Sequence, residues 1–444
     1  MTKGIKLDFS KTLQAVPDIE DWVRAIIPRL SAADRAVRSK RDSGVLGFFD
    51  LPYLNRGKSD IKNIAEYINE NFENMVVIGI GGSALGNRLL HGALNHPYYN
   101  QLTAEDRRGC PRIYVRDSID SDSLKGLLDI LDIKRTAFNV ITKSGGTVET
   151  MANFLVLKDM LVREAGSDRA KKSIIATTDA SWGDLLGIAR QEGYRVLHIP
   201  ENVGGRYSVL SAVGLLSAAV SGIDIEELLS GAEYADRDCN GGDPYQNQAL
   251  MGAALQYIAW QRGRPVSVVM PYSDALYHFG DWYCQLWAES LGKTKETDDG
   301  KIQMGQTPLK AVGVRDQHSL LQLFLDGPDD KIFTLFEVEK RKNSFVIPAG
   351  DKYCENLGYL GGSTLQKLLD SEFRATESVL TKRGRMNYKI TLPDISPHTI
   401  GQLIFLYMLM TAYMGELFGV NAFDQPAVEE GKKITYRLMG RPGC

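Results

Sequence analysis

The chain has 444 residues, of which 43% are hydrophobic and 24% charged, as in ordinary folded proteins and unlike disordered ones. Its 52 basic and 55 acidic residues give a formal net charge of −3, which argues against nucleic acid or an anionic membrane as the partner. Because the length exceeds what one hydrophobic core usually supports, we predict two domains.

The cysteines and the apolar runs indicate a cytoplasmic protein. Five cysteines are scattered without a C-x-x-C pair, which favours a reducing compartment and argues against a zinc site. The first residues lack the apolar stretch of a secretory signal. The longest apolar run, 403–414, is shorter than the roughly 20 residues of a membrane-spanning helix, so we predict a buried helix there.

Short β-branched runs alternate with amphipathic stretches in the first half of the chain. The runs lie at 75–80, 112–115, 139–142, 173–177 and 196–199. This alternation predicts parallel strands joined by helical crossovers. A helix is also expected over 61–68, with Asp60 as its N-cap.

A second series of the same kind runs at 265–270 and 331–336 and ends on a long helix from 399 to about 417. We therefore predict an α/β fold with two domains, each a mostly parallel sheet flanked by helices. The predicted limits are a helical arm at 1–45, a phosphate-binding domain at 46–222 and a second domain with C-terminal helices at 223–444.

A glycine-rich turn joins a predicted strand to a predicted helix in the sequence V-I-G-I-G-G-S-A-L-G at 77–86. Such a turn lets several backbone N–H groups approach an anion, and the helix start adds a partial positive charge. Gly82 and Ser83 are therefore candidate phosphate ligands. A tight turn without any ligand would show the same pattern.

The same turn also fits a dinucleotide site, because Gly79, Gly81 and Ala84 match G-x-G-x-x-[GA]. That pattern requires an acidic residue about 20 positions further on. The next predicted strand instead ends at Arg116 and Asp117, more than 30 residues beyond Gly81. The sequence favours a phosphate site over a nicotinamide dinucleotide site.

A second polar turn, T-K-S-G-G-T at 142–147, follows another predicted strand. Its hydroxyls and backbone amides can surround a phosphate dianion, although the same residues also serve as turn and helix-cap residues. Loops at the carboxyl ends of neighbouring parallel strands meet at one crevice, so we expect the two turns to share a site. The candidate ligands in this turn are Thr142, Lys143, Ser144 and Thr147.

The two turns together, G-G-S followed by [ST]-K-[ST]-x-x-T, resemble the sugar isomerase domain. Four later segments narrow the resemblance to the phosphoglucose isomerase family. They are E-N-V-G-G-R-Y-S-V-L-S-A-V-G at 201–214, Q-L-W-A-E-S-L-G-K at 285–293, Q-H-S at 317–319 and F-D-Q-P-A-V-E-E-G-K at 423–432. The matching segments follow the family's order and span 78–432, almost the whole chain.

The resemblance implies two sugar isomerase domains and the reversible isomerisation of glucose 6-phosphate and fructose 6-phosphate. The reaction passes through a cis-enediol(ate) and belongs to glycolysis and gluconeogenesis. The family's mechanism needs neither a metal nor an organic cofactor. The resemblance also implies a homodimer whose active site is shared between the subunits.

The resemblance further implies a role for each candidate residue of the second half. Glu289 is the base that moves a proton between C2 and C1, and Arg206 is the cation that stabilises the enediolate. Gln285, one helical turn before Glu289, and Gln425 are expected to bind substrate. Without the resemblance, an exposed helix glutamate and a surface ion pair would be the ordinary interpretations of Glu289 and Arg206.

His318, supplied by the partner subunit, and Lys432 are implied to move protons during ring opening. The segment that carries Lys432 departs from the family pattern, because Ala427 stands where glycine is usual. If that glycine has a positive φ, alanine would cost about 1 kcal/mol.

A non-catalytic sugar-phosphate sensor is the remaining alternative. Such a sensor would share the two phosphate turns, but it would not need the set formed by Glu289, Arg206 and His318. Sensors of this kind are normally attached to a DNA-binding helix-turn-helix, and the first residues of this chain do not predict one.

Overall fold

The computed structural model describes residues 4–54, 56–298, 300–349 and 355–441. The strands are β1 (Lys6–Asp8), β2 (Asn74–Ile78), β3 (Arg112–Arg116), β4 (Thr136–Ile141), β5 (Ile174–Asp179), β6 (Arg195–Ile199), β7 (Val266–Pro271), β8 (Lys293–Thr297), β9 (Gly300–Met304), β10 (Thr307–Lys310), β11 (Lys331–Val338) and β12 (Asn387–Leu392). The helices are α1 (Ser10–Ala15), α2 (Ile19–Asp42), α3 (Arg56–Asn71), α4 (Gly82–Leu94), α5 (Ser121–Ile130), α6 (Val148–Ala165), α7 (Ser167–Ser173), α8 (Asp184–Glu192), α9 (Ala212–Val220), α10 (Ile225–Asp238), α11 (Gln248–Gln261), α12 (Tyr277–Leu291), α13 (Leu321–Asp326), α14 (Leu365–Lys382), α15 (Pro397–Phe418) and α16 (Val428–Leu438).

The first half of the chain forms a five-stranded parallel sheet in the order β3-β2-β4-β5-β6. Alternate residues of β2 are buried in different cores, Met75 and Val77 on one face and Val76 and Ile78 on the other. Burial of both faces is what a parallel sheet with helical crossovers requires. The predicted α/β unit is confirmed.

The second half forms another five-stranded sheet, in the order β1-β12-β11-β7-β10. Its strands are parallel except β1, which pairs antiparallel with β12 so that Leu7 lies opposite Ile390. The segment predicted as a helical arm therefore also supplies an edge strand to the second sheet. The sequence K-L-D is too short and too polar to indicate a strand by its pattern.

Helix α15 is the buried helix predicted from the apolar run. It packs against α2, α10, α11 and α12. Its length and composition would allow it to cross a membrane, but 94% of its apolar window is buried inside the protein. The prediction of a buried helix is confirmed.

One predicted helix start is wrong, and one predicted domain boundary lies between two helices. Helix α3 begins at Arg56, so Asp60 lies inside the helix and is not its N-cap. The predicted domain boundary at 221–224 falls between α9 and α10, where the carboxylate of Asp224 caps α10 by accepting from Glu226 N at 2.9 Å. The limits of the domains remain a prediction.

Candidate active site

A cleft of about 900 Å³ lies where the carboxyl ends of the first sheet meet elements of the second half. Its walls come from the turns after β2, β4 and β6, from α12, and from the segment between α15 and the end of α16. The cleft is lined by these residues predicted from sequence: Gly82, Ser83, Thr142, Lys143, Ser144, Thr147, Arg206, Gln285, Glu289, Gln425 and Lys432.

The first glycine turn brings the start of α4 against the segment that carries Arg206. Gly81 has φ +55°, which favours glycine, and it precedes the first residue of α4. A Cβ on Gly82 would lie 2.2 Å from the carbonyl carbon of Gly205, so the two backbones can meet only without a side chain there. The contact explains why residue 82 is a glycine.

The second turn gathers hydroxyl groups at the start of α6. The Oγ1 atoms of Thr142 and Thr147 are 2.9 Å apart, and the Gly146 N–H donates to Ser144 Oγ at 3.3 Å. Thr147 is the N-cap residue of α6, but its side chain makes no capping hydrogen bond. Its hydroxyl is therefore not used to cap the helix, and Thr147 lines the cleft.

Lys143 connects this turn to the segment before Arg206. Its Nζ donates to the carbonyl oxygens of Glu201 at 2.5 Å and Val203 at 3.1 Å. Burial lowers the pKa of the Lys143 ammonium, partly offset by the charges of Asp179 and Glu201. Two carbonyl acceptors stabilise the ammonium in this half-buried position.

Arg206 is the central cation of the site, with a side chain that is 2% exposed. Its guanidinium donates to Ser290 Oγ at 2.7 Å, Glu289 Oε1 at 3.1 Å, Gln425 Oε1 at 3.0 Å, and the carbonyl oxygens of Ala422 at 2.7 Å and Asp424 at 3.0 Å. A buried charge needs such partners, and here they also fix the guanidinium next to the carboxylate.

Both carboxylate oxygens of Glu289 are held by neighbours. Oε1 accepts from Arg206, and Oε2 accepts from Gln285 Nε2 at 2.9 Å. The Glu289 side chain remains 26% exposed and lines the cleft. It is thus oriented by two donors while it stays open to a bound molecule.

The segment after α15 brings in Gln425 and Lys432. Ala427 has φ −65° and ψ −28°, an ordinary right-handed conformation, so the strain considered for alanine at this position does not arise. Lys432 lies on α16 with a half-exposed side chain, and its Nζ pairs with Glu429 Oε1 at 2.6 Å.

His318 is the one predicted site residue that does not line the cleft of its own chain. It follows the short 3₁₀ helix Arg315–Gln317, and it is exposed. The single chain does not bring this histidine together with the other predicted site residues.

The sequence analysis missed two residues that line the cleft and one buried partner of Arg206. Phe48 and Trp182 line the cleft from segments without a recognisable motif, and nothing in their local sequence indicates this position. Ser290, which accepts from Arg206 Nε, stands beside Glu289 in a quoted segment, and its pairing with a buried cation was not anticipated.

The alternative of a dinucleotide site finds no support at the end of β3. Arg116 is buried there and donates to Asn153 Oδ1 at 3.0 Å and Ser123 Oγ at 2.9 Å. The adjacent carboxylate of Asp117 accepts from Arg88 Nη2 at 2.7 Å. The acidic residue at this strand end is therefore engaged by an arginine.

Comparison with known proteins gives a consistent result. The model of the phosphoglucose isomerase family, described as "Phosphoglucose isomerase", matches residues 60–442. A glucose-6-phosphate isomerase of Carboxydothermus hydrogenoformans is 43% identical over 99% of this chain and 96% of its own. A probable glucose-6-phosphate isomerase of Methanococcus maripaludis is 40% identical over 91% of this chain and 86% of its own.

Two solved structures are similar over most of the chain. A hypothetical protein of Thermus thermophilus has a TM-score of 0.87 and 35% identity, with 98% of this chain and 100% of that chain covered. A glucose-6-phosphate isomerase of Chlamydia trachomatis has a TM-score of 0.73 and 25% identity, with 86% of this chain and 73% of that chain covered.

Proposed function

This chain belongs to the phosphoglucose isomerase family, and from that premise we propose a role for each group in its cleft. Its activity is that of glucose-6-phosphate isomerase, the reversible aldose–ketose isomerisation of glucose 6-phosphate and fructose 6-phosphate in glycolysis and gluconeogenesis. One observation carries the residue assignment: a carboxylate, Glu289, lines the cleft while Gln285 and Arg206 hold both its oxygens.

We propose that the sugar phosphate group binds between the turns after β2 and β4. The N-termini of α4 and α6 are at this end of the cleft, and helix N-termini favour anions. Ser83, Thr142, Ser144 and Thr147 supply hydroxyl donors, and Gly82 supplies a backbone N–H.

The proposed chemistry at the other end is a proton transfer through Glu289. In the open-chain aldose, the carboxylate takes the proton from C2, and the electron pair moves toward the C1 carbonyl to give an enediolate. The same carboxyl group then returns the proton to C1, while the proton of the C2 hydroxyl passes to the C1 oxygen, so that C1 carries the hydroxyl and C2 becomes the carbonyl. The aldose becomes the ketose without gain or loss of atoms.

Arg206 is proposed to stabilise the enediolate. The negative charge develops on oxygen atoms of the intermediate, and a fixed cation beside Glu289 interacts more strongly with that charge than with the uncharged carbonyl of the open-chain substrate. Its five hydrogen bonds fix the guanidinium in advance, so little reorganisation is needed during the reaction.

Lys432 and His318 of the partner subunit are proposed to move protons during ring opening. The position of His318, exposed and outside the cleft of its own chain, supports a site shared across a homodimer. We also propose that the enzyme is cytoplasmic.

The direct test of the activity is a coupled assay of the purified protein with fructose 6-phosphate. Formation of glucose 6-phosphate is expected without a cofactor for the isomerisation itself. A protein that is folded by circular dichroism and yet gives no turnover would refute the proposed function.

We predict that Ser83→Ala and Thr147→Val each weaken binding of 6-phosphogluconate, a sugar acid phosphate that cannot be isomerised. Each change removes a donor to a dianion, which is worth about 1.5 to 3 kcal/mol. Titration calorimetry measures the affinity. Thr150→Val is the matched control. Thr150 is the third residue of α6, and its hydroxyl is buried and has no hydrogen-bond partner among the described residues. Unchanged affinity in both test variants would exclude this phosphate site.

We predict that hybrids of two inactive variants recover activity. Homodimers of Glu289→Gln and of His318→Ala should each be inactive, because every site lacks one group. After subunit exchange, a hybrid dimer has one site with both groups intact. Activity that does not return, although mass spectrometry confirms exchange, would contradict a site shared between subunits.

A further inference from the structure

The chemical end of the cleft is built from two segments that are far apart in sequence. Helix α12 carries Gln285 and Glu289, and the segment 422–425 after α15 carries Gln425. The reaction needs these groups in a fixed mutual position, because a displacement of about 1 Å can cost about 100-fold in rate. Two cations join the segments. One is Arg206, which contacts both segments and lies inside the cleft.

The second cation is Lys293, the first residue of β8. Its Nζ donates to the carbonyl oxygen of Glu289 at 2.6 Å and to the carbonyl oxygen of Asp424 at 2.7 Å. The ammonium also lies 3.7 Å from Asp424 Oδ1. The two acceptors belong to the base itself and to the residue directly before Gln425.

Lys293 stands behind the site rather than in it. Its side chain is 9% exposed and is not among the groups that line the cleft. The Glu289 carbonyl belongs to the last turn of α12, where carbonyl groups have no partner within the helix. Lys293 donates a hydrogen bond to this carbonyl and a second one to the carbonyl of Asp424 in the neighbouring segment. A single backbone N–H could not donate to both segments in this way.

Burial of the Lys293 ammonium costs free energy, because the charge loses hydration. Burial lowers the pKa of the Lys293 ammonium, and the charge of Arg206 lowers it further, whereas Asp424 and Glu289 act in the opposite direction. The two carbonyl acceptors compensate for the lost hydration. A residue without charge or donors would avoid the cost of desolvation, but it would leave Arg206 to join the two segments without Lys293.

We propose that Lys293 is a positioning residue for the isomerisation, which holds the Glu289 end of α12 against the Asp424 and Gln425 segment. This inference rests on the proposed function of Glu289. Lys293 does not touch substrate and transfers no proton. It fixes the relative positions of the base Glu289, Arg206 and Gln425.

The test is Lys293→Met, which keeps the apolar stem and removes the charge and the donors. We expect kcat to fall about 10- to 100-fold, while the dissociation constant of 6-phosphogluconate stays at the wild-type value. Lys293→Arg should restore part of kcat, because it keeps the charge but places its donors on a wider planar group.

Lys295→Met is the matched control. Lys295 lies on the same strand, and its Nζ also donates to the carbonyl of a helix C-terminus, that of Phe418 at 3.1 Å, but outside the cleft lining. We expect this variant to keep the wild-type kcat. Equal losses in both lysine variants would show a general effect on folding and would overturn the proposal.

The outcomes separate this inference from the proposed function. No turnover by the folded wild type refutes the function, whereas wild-type kcat in Lys293→Met refutes only the positioning role. Loss of 6-phosphogluconate affinity in parallel with kcat also refutes it. If thermal unfolding shows that Lys293→Met does not fold, Lys293→Arg decides: a reduced kcat with unchanged affinity supports the proposal, and wild-type kcat overturns it.

Discussion

Glu289→Gln is expected to abolish isomerisation while substrate binding is retained. Glutamine keeps the length of the side chain, and its one amide oxygen can still accept from Arg206. Its amide nitrogen can donate to Gln285 Oε1 if the Gln285 amide turns over, but the side chain cannot take a proton from carbon. Removal of a general base typically costs about 100- to 10,000-fold in rate, and a base that performs both halves of the transfer should fall at the severe end.

Steady-state kinetics and calorimetry with 6-phosphogluconate measure the two effects separately. Glu296→Gln is the matched control, since Glu296 lies on β8 with an 81% exposed side chain. This control should have wild-type kinetics. Wild-type turnover in the Glu289 variant would remove Glu289 from the mechanism.

Arg206→Met is expected to reduce both the rate and the stability. The enediolate loses its cation, and removal of one preorganised electrostatic partner typically costs about 100- to 1,000-fold in kcat. The same change leaves buried acceptors without donors and the Glu289 carboxylate without its cation. We therefore expect the free energy of unfolding to fall by about 3 kcal/mol.

Arg264→Met separates the two effects of the Arg206 change. Arg264 is also a largely buried arginine, paired with Asp329, and it does not line the cleft. Its loss should lower the unfolding free energy in denaturant titration and leave kcat unchanged. A kcat loss in Arg264→Met equal to that of Arg206→Met would mean that the activity of Arg206→Met reports stability alone.

The sequence predicted those parts of the fold that have a local pattern. The strands around Val77 and Val140 are buried on both faces, so their apolar runs are visible in the sequence. Strand β1 was not predicted because Leu7 is held by pairing with Ile390, a partner far away in the chain. Asp60 was wrongly taken as a cap because α3 continues several residues before it through polar residues.

The active site, like the fold, could be predicted only where a local sequence pattern indicates it. The glycine turns and the Glu289 segment were recognisable because the chemistry requires particular residue types in a short window. What those residues contact was not recognisable. Lys143 was predicted as a substrate ligand, and its Nζ also donates to two carbonyls of another segment. Lys293 belonged to a quoted motif, yet its function depends on Asp424, which only the folded chain brings near.

The central claim is that Glu289 transfers the substrate proton, and hydrogen exchange measured by NMR in deuterated water tests it most directly. The wild type should place deuterium at C2 of glucose 6-phosphate and at C1 of fructose 6-phosphate, because the protonated base equilibrates with solvent between the two half-reactions. Glu289→Gln, with 6-phosphogluconate binding intact, should leave both carbons unlabelled over the same period. Labelling by this variant at the wild-type rate would contradict the account and assign the transfer to another group in the cleft.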